Sequence, residues 1–228
     1  MPSGDLPGWK QVVAEDFRTE VPIGQFPGTV YGPVWRGYDH PYKDTSKHGR
    51  YLPGKVISVR GGILDMYIHT EDGVHMVAAP IARATERQRY GRYSVRFRSD
   101  PVPGYKVAWL LWPSSNVRDE GEIDFPEGNL DGRIAAFSHC VNDQRRNCFA
   151  KTTGERFTDW HTATTEWTPG RVTFFLDGEQ IGTTTNRVSS TPMKWVLQTE
   201  TAFRGPEPSG SASGHVQIDW AVAYAYRP

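Results

Sequence analysis

Short stretches in which apolar and polar residues alternate recur along the chain, each too short and of the wrong period for an amphipathic helix. The cleanest is Tyr90-Gly91-Arg92-Tyr93-Ser94-Val95-Arg96-Phe97-Arg98, with aromatics and Val on one face and Ser or Arg on the other. Successive side chains of a strand point to opposite faces, so this is a half-buried strand whose arginines face solvent. Val56 to His69 forms two such runs around Gly61-Gly62, which predicts a hairpin, and Val74 to Ala82 predicts one further strand. Trp9 to Phe17 reads as an opening strand. Gly104 to Pro113 is apolar on both faces, as a strand buried in a sandwich would be. Arg133 to His139 is another strand. Trp160 to Gly170 leads into Val172 to Ile181, a hairpin turning on Asp177-Gly178. Met193 to Glu200 and His215 to Tyr224 complete the set. Pro22 to Pro53 shows neither period. It is rich in aromatics (Tyr31, Trp35, Tyr38, Tyr42, Tyr51), and so long an irregular segment suggests a functional role. An aromatic face suits a binding role, with Trp35 the candidate there, while the tyrosines read at least as well as loop anchors.

Composition agrees with many short strands joined by turns, since the chain has 23 Gly, 17 Pro and 12% aromatics. An all-β fold follows. The 228 residues contain no obvious linker and are expected to form one domain, 1–228. A chain of this length buries roughly 70–75% of its unfolded surface and needs no staple to fold. With 26 basic and 26 acidic residues the net charge is zero, so no nucleic-acid or anionic-membrane partner is expected. No run approaches the length of an apolar membrane span. Met1 to Asp5 carries no signal segment. Cys140 and Cys148 flank a polar loop, a spacing that suits a disulfide at a hairpin tip, with two free thiols as the alternative. The bridge, an oxidising compartment and secretion after removal of a leader are the expectation. The histidines show no metal spacing, and neither serine-esterase nor nucleotide motifs occur.

The chemistry concentrates in Gly121-Glu122-Ile123-Asp124-Phe125-Pro126-Glu127-Gly128. On a strand Glu122 and Asp124 share one face while Ile123 and Phe125 share the other. Glu127 would fall on the wrong face unless one extra residue is absorbed by a bulge, and Pro126, which cannot donate to the ladder, marks the place. The bulge brings Glu122 and Glu127 to about 13 Å between Cα atoms. Side chains leaning together can then approach the roughly 5–5.5 Å carboxyl separation of a retaining glycosidase. Three acids so close cannot all ionise freely, which raises at least one pKa and creates a general acid. A solvated acidic turn is the competing reading. It does not require the interleaved Ile123 and Phe125.

Gly-Glu-Ile-Asp-x-x-Glu resembles the bulged signature of glycoside hydrolase family 16, as in laminarinase-like enzymes, agarases and carrageenases, with Phe125 and Pro126 departing from the usual Ile, Val or Met. Further segments resemble the family in order from Trp9 to Tyr226, among them Tyr90-Gly91-Arg92 with Val95-Arg96, His161 with Glu166-Trp167, and Val216 to Tyr224. The resemblance implies a β-jelly-roll sandwich of two antiparallel, curved sheets with an open concave cleft. It implies Glu122 as nucleophile, Glu127 as acid/base and Asp124 as assistant to Glu122. It also implies a stacking aromatic on the Gly104–Pro113 strand. Trp109 and Trp112 have opposite parity, and Trp112 lies nearer the loop mouth. His139 is expected beside the acid/base, Trp160 is placed toward the cleft, and Gln198 and Glu200, of one parity, toward sugar hydroxyls. His161 and Trp167 are architectural. No cofactor is implied for the chemistry, but a structural calcium is, with Glu15, Gly62 and Asp219 as its residues by position. The expected function is endo-hydrolysis of a β-linked polysaccharide by a monomer. β-1,3-Glucan is the first choice, and agar- or carrageenan-type galactans, transglycosylation and non-catalytic carbohydrate binding are the alternatives.

Overall fold

The computed structural model describes residues 1–38 and 42–228, so three positions of the irregular Pro22–Pro53 segment lie outside it. Two sheets dominate. From edge to edge the seven-stranded sheet runs Asp143–Arg156, Arg133–Cys140, Glu122–Asn129, Tyr105–Pro113, Met193–Thr201, Pro80–Ala82 and Trp35–Gly37. The ten-stranded sheet is built around Gly214–Tyr226. This strand pairs with Trp9–Glu15, Gly91–Ser99 and Ile63–Glu71. Beyond Gly91–Ser99 come His161–Thr168, Arg171–Leu176 and Glu179–Thr184. All pairs are antiparallel except Gly49–Tyr51 with Val74–Val77. The result is the all-β fold that the alternation predicts, in the jelly-roll sandwich form that the family resemblance implies.

The core lies between the sheets, and aromatic pairs cross it. Phe97 meets Trp109 at 5.1 Å, Tyr93 meets Trp195 at 5.6 Å and Phe125 meets Phe174 at 5.6 Å between ring centroids. Each pair joins the inward parity of one sheet to that of the other, which fixes the register of both, since a one-residue slip would turn every such ring to solvent. Both predicted hairpins form. Gly61 and Gly62 at one, and Asp177 and Gly178 at the other, take positive φ at both central positions, as the tight turns matching strand twist require. Trp167 is fully buried with its indole N–H on the Ser189 carbonyl, and His161 is held by Asp177 at 2.6 Å.

Two expectations change. Val74 to Ala82 is two strands in different sheets, because the chain crosses over at Ala78-Ala79 and Pro80 cannot continue a donor ladder. Pro22 to Pro53 contains short elements, Gly28–Tyr31, Trp35–Gly37 and Gly49–Tyr51. Its last turn is pinned by the fully buried Asp44. That carboxylate accepts from the backbone N–H groups of Lys47, Gly49 and Thr201 and from the hydroxyls of Ser46 and Thr201. A Cβ on Gly49 would stand 2.4 Å from Asp44 Oδ2, so only glycine permits this anchor. Cys140 and Cys148 are bridged, tying the Arg133–Cys140 strand to the next one. Among the described residues no helix is long and apolar enough to cross a membrane.

Candidate active site

The acidic strand contains the bulge. On one side Asp124 pairs with Phe137 and Glu127 with Ala135; on the other Asp124 pairs with Leu110 and Glu127 with Ala108. Two residues on this strand, Phe125 and Pro126, therefore oppose one on each neighbour, which returns Glu127 to the face of Asp124. The register shift spans Phe125 and Pro126, whose peptide bond is cis. Ile123 and Phe125 are buried in the core, so Glu122, Asp124 and Glu127 project from the outer face of the seven-stranded sheet. Gly121 enters the strand at φ +99°, and a Cβ on Gly128 would stand 2.6 Å from the Arg133 carbonyl, so both flanking positions demand glycine.

The acids form a coupled row. The Glu122 and Asp124 carboxyls lie within 4.8 Å of each other, and Asp124 is 1% exposed. Burial first, and then the charge of Asp124, pushes the Glu122 carboxyl up to about 9. Burial and then the charge of Glu127 push Asp124 well above its usual range. Two carboxyls that close and dry share a proton at neutral pH, and the titration belongs to the pair. His139, opposite Glu122 in the register, places Nε2 3.2 Å from Asp124 Oδ2. One polar atom each from Glu122, Asp124 and His139 lies within 4.8 Å of the others. Glu127 is held differently, by the Lys106 ammonium at 2.6 Å from Oε1. Burial opposes the Lys106 charge, but Glu127, Glu200 and Asp124 outweigh it and its pKa is raised.

Beside Glu122 the same face holds a cavity of about 230 Å³ lined by Tyr38, Thr45, Leu110, Trp112, Arg118, Glu122, Val196 and Gln198. Even-numbered residues of Tyr105–Pro113 face it, and the register carries that parity across to Val196 and Gln198. Trp112 is thus at the site, with its indole N–H donating to Asn116 Oδ1 at 3.2 Å, while Trp109 is fully buried. Thr45 and Arg118 line the cavity without having been singled out from sequence, and Tyr38, named there only among the aromatics of its loop, joins them.

A protein-family model, that of the glycosyl hydrolases family 16, matches residues 54–222. The chain belongs to this family. Among solved structures it is similar to SCLam, a non-specific endo-β-1,3(4)-glucanase, at 18% identity and TM-score 0.77, covering 100% of this chain and 95% of that one. The laminarinase catalytic domain from Thermotoga maritima superposes at 16% identity and TM-score 0.77, covering 96% of this chain and 99% of the other. The Bacillus licheniformis β-glucanase does so at 16% and 0.74, covering 94% and 98%. Among curated protein sequences none matches.

Several family-derived or pattern-derived expectations move. Trp35 is fully buried against Phe17, with ring centroids 6.1 Å apart, and does not reach the cleft. Its strand pairs Arg36 with Ile81 and Ile81 faces Val196, so the outer face falls to Arg36 and the odd position points inward. Trp160 lies on the other sheet. Arg96 and Arg98, whose parity is opposite to that of core Val95 and Phe97, cover its ring at 4.6 and 4.9 Å. Glu200 is on the cleft parity but buried, with its carboxylate committed to Tyr51 Oη at 2.8 Å and to the Thr45 N–H and hydroxyl. It anchors a loop and is not free for a sugar. His139 stands beside Asp124, not Glu127, because the register puts Ala135 opposite Glu127.

The calcium residues do not fit a dication. The Asp219 carboxylate is paired with the Arg96 guanidinium at 2.5 Å, and the Glu15 carboxylate accepts the Phe17 backbone N–H at 3.1 Å. A guanidinium on the only acidic side chain of the last strand's contribution repels a second cation where calcium requires concentrated negative oxygen. Gly62 faces the Asp16 carbonyl and adds no charge. Chelation with EDTA is therefore expected to leave the melting temperature unchanged. A rise of several degrees on adding calcium would restore the cation to this position.

Proposed function

We propose that this chain is an endo-acting hydrolase of a β-linked glucan that works with retention, and that residues 1–228 form one catalytic unit. The observation that carries the reading is the bulge at Phe125-Pro126, which sets three acids on one face beside an aromatic-lined cavity. Glu122 attacks the anomeric carbon as the glycosidic bond breaks, and Glu127 gives its proton to the leaving oxygen. Asp124 keeps the proton it shares with Glu122, so that Glu122 attacks as a carboxylate. In the second step Glu127 takes a proton from water as that water's oxygen displaces Glu122 from the sugar. Trp112 offers its ring to a pyranose face and Gln198 its amide to hydroxyls. The related structures named for glucanase and laminarinase activity favour β-1,3-glucan over galactans. The Cys140–Cys148 bridge supports work in an oxidising, extracellular setting.

Reducing-end release across laminarin, mixed-linkage glucan, agarose and carrageenan tests the substrate. Proton NMR of the first-formed ends tests the stereochemistry. Release from laminarin with β-anomer appearing first is expected; α-anomer first, or no release from any of the four, would remove this reading.

A further inference from the structure

Lys106 stands in the acid row beside Glu127, and the mechanism above leaves it unused. It lies on the Tyr105–Pro113 strand at the outward parity of Ala108, Leu110 and Trp112, between Asn129 on one neighbouring strand and Glu200 on the other. Its side chain is 13% exposed and that of Glu127 20%, so the pair is largely shielded from water. Among the described residues, the charged groups of the strands around Glu127 include Glu122 and Asp124 on its own strand, Lys106 on Tyr105–Pro113, Glu200 on Met193–Thr201, His139 and Arg133 on Arg133–Cys140, and Arg156 opposite Arg133; the Arg133 guanidinium donates to the Gly154 carbonyl and that of Arg156 to the Asp131 carbonyl. The outermost strand, Asp143–Arg156, brings Ala150 and Thr152 to this face opposite Phe137 and Ala135, and neither is charged. His139 Nε2 stands 3.2 Å from Oδ2 of Asp124, the middle acid, and opposite Glu122 in the register. Among the described residues Lys106 is the cation that forms an ion pair with Glu127.

We propose that Lys106 is a positioning residue for proton transfer: it fixes Glu127 Oε1, so that Oε2 alone faces the scissile oxygen, and it stabilises the carboxylate that Glu127 becomes. This rests on the retaining reading given above. As the glycosidic bond breaks, the proton moves from Glu127 to the leaving oxygen and negative charge grows on the glutamate. An ammonium already in place and largely dry stabilises that charge without reorganisation. In the second step the same contact holds Glu127 as the base that takes the proton of the attacking water. The proton count is unchanged over the cycle, and Lys106 keeps its own.

The closing experiment compares Lys106→Met and Lys106→Arg with wild type on two leaving groups, laminarin and a 2,4-dinitrophenyl β-laminaribioside. A sugar must be protonated as it leaves, and dinitrophenolate need not be. Lys106→Met is expected to lower kcat on laminarin by about 10–100-fold with KM little changed. Its kcat/KM on the dinitrophenyl substrate should stay within about threefold, and Lys106→Arg should recover most of the laminarin rate. Unchanged kcat on laminarin, or an equal loss on both substrates, overturns the proposal. Glu122→Gln, assayed alongside, separates the two readings, because it abolishes turnover of both substrates if the retaining mechanism holds, whatever Lys106 does.

Discussion

Glu122→Gln is expected to reduce hydrolysis by about 10⁴-fold or more while leaving polysaccharide binding intact. Removing a nucleophile eliminates the covalent path instead of slowing one step of it, and an amide of the same shape keeps the cavity that Glu122 shares with Trp112 and Gln198. The same substitution should change how stability depends on pH, in a direction set by burial. In the unfolded chain Glu122 titrates near its ordinary 4.5, and in the fold burial pushes it, as one member of the pair that shares a proton with Asp124, up to about 9. Between those values the folded state binds the extra proton, so its contribution to stability is complete below the lower pKa and is lost as pH rises through the upper one. The slope is at most about 1.4 kcal/mol per pH unit for one proton. Glutamine is neutral throughout, so the variant's melting temperature should decline less between pH 5 and pH 9 than that of wild type. Comparable activity in the variant, or parallel melting curves across that range, would separate Glu122 from both roles.

Why the acid row was legible and parts of its surroundings were not comes down to which quantities a single strand carries. Parity is local. Glu122 and Asp124 against Ile123 and Phe125, or Trp112 against Trp109, can be read from alternation alone, and Pro126 marks the one place where alternation must fail. Facing partners across strands are not local. The choice of Trp35 failed because no period runs through Pro22–Pro53, and its inward direction is set by pairing with Pro80–Ala82, some 45 residues later. Trp160 failed for a related reason: it sits between elements, and which sheet it joins depends on the pairing of His161–Thr168 with Gly91–Ser99. Glu200 had the right parity and the wrong freedom, because Thr45 and Tyr51 come from a loop that only the fold brings over it.

Lys106 shows the same division from the other side. Its outward parity follows from that of Trp112, six positions on, so it could have been placed in the cleft from sequence. What could not be read is that Glu127 lands next to it. That needs the bulge to be counted on both neighbouring strands at once, giving Ala108 and Ala135 as its partners. An isolated lysine on such a strand reads as a solvated tip. Across from a returned glutamate it becomes a buried ion pair, whose desolvation is offset only by the surrounding acids.

Glu127→Ala carries the second large effect, and it distinguishes acid/base from nucleophile by product instead of by loss alone. On laminarin the rate should fall by about 10²–10⁴-fold, because neither departure of the sugar nor attack by water is assisted. A dinitrophenyl glycoside still glycosylates Glu122, so the enzyme should accumulate the covalent intermediate and stall. Azide needs no deprotonation and fits the space left by the missing carboxyl, so it should restart turnover and yield a glycosyl azide of the substrate's own β configuration. Glu122→Ala under the same conditions should give the α azide in one displacement, since azide then occupies the nucleophile's side. If Glu127→Ala gave the α product, or azide rescued neither variant, Glu127 would not stand on the leaving-group side. The bulge would then be a structural kink that happens to carry an ion pair with Lys106.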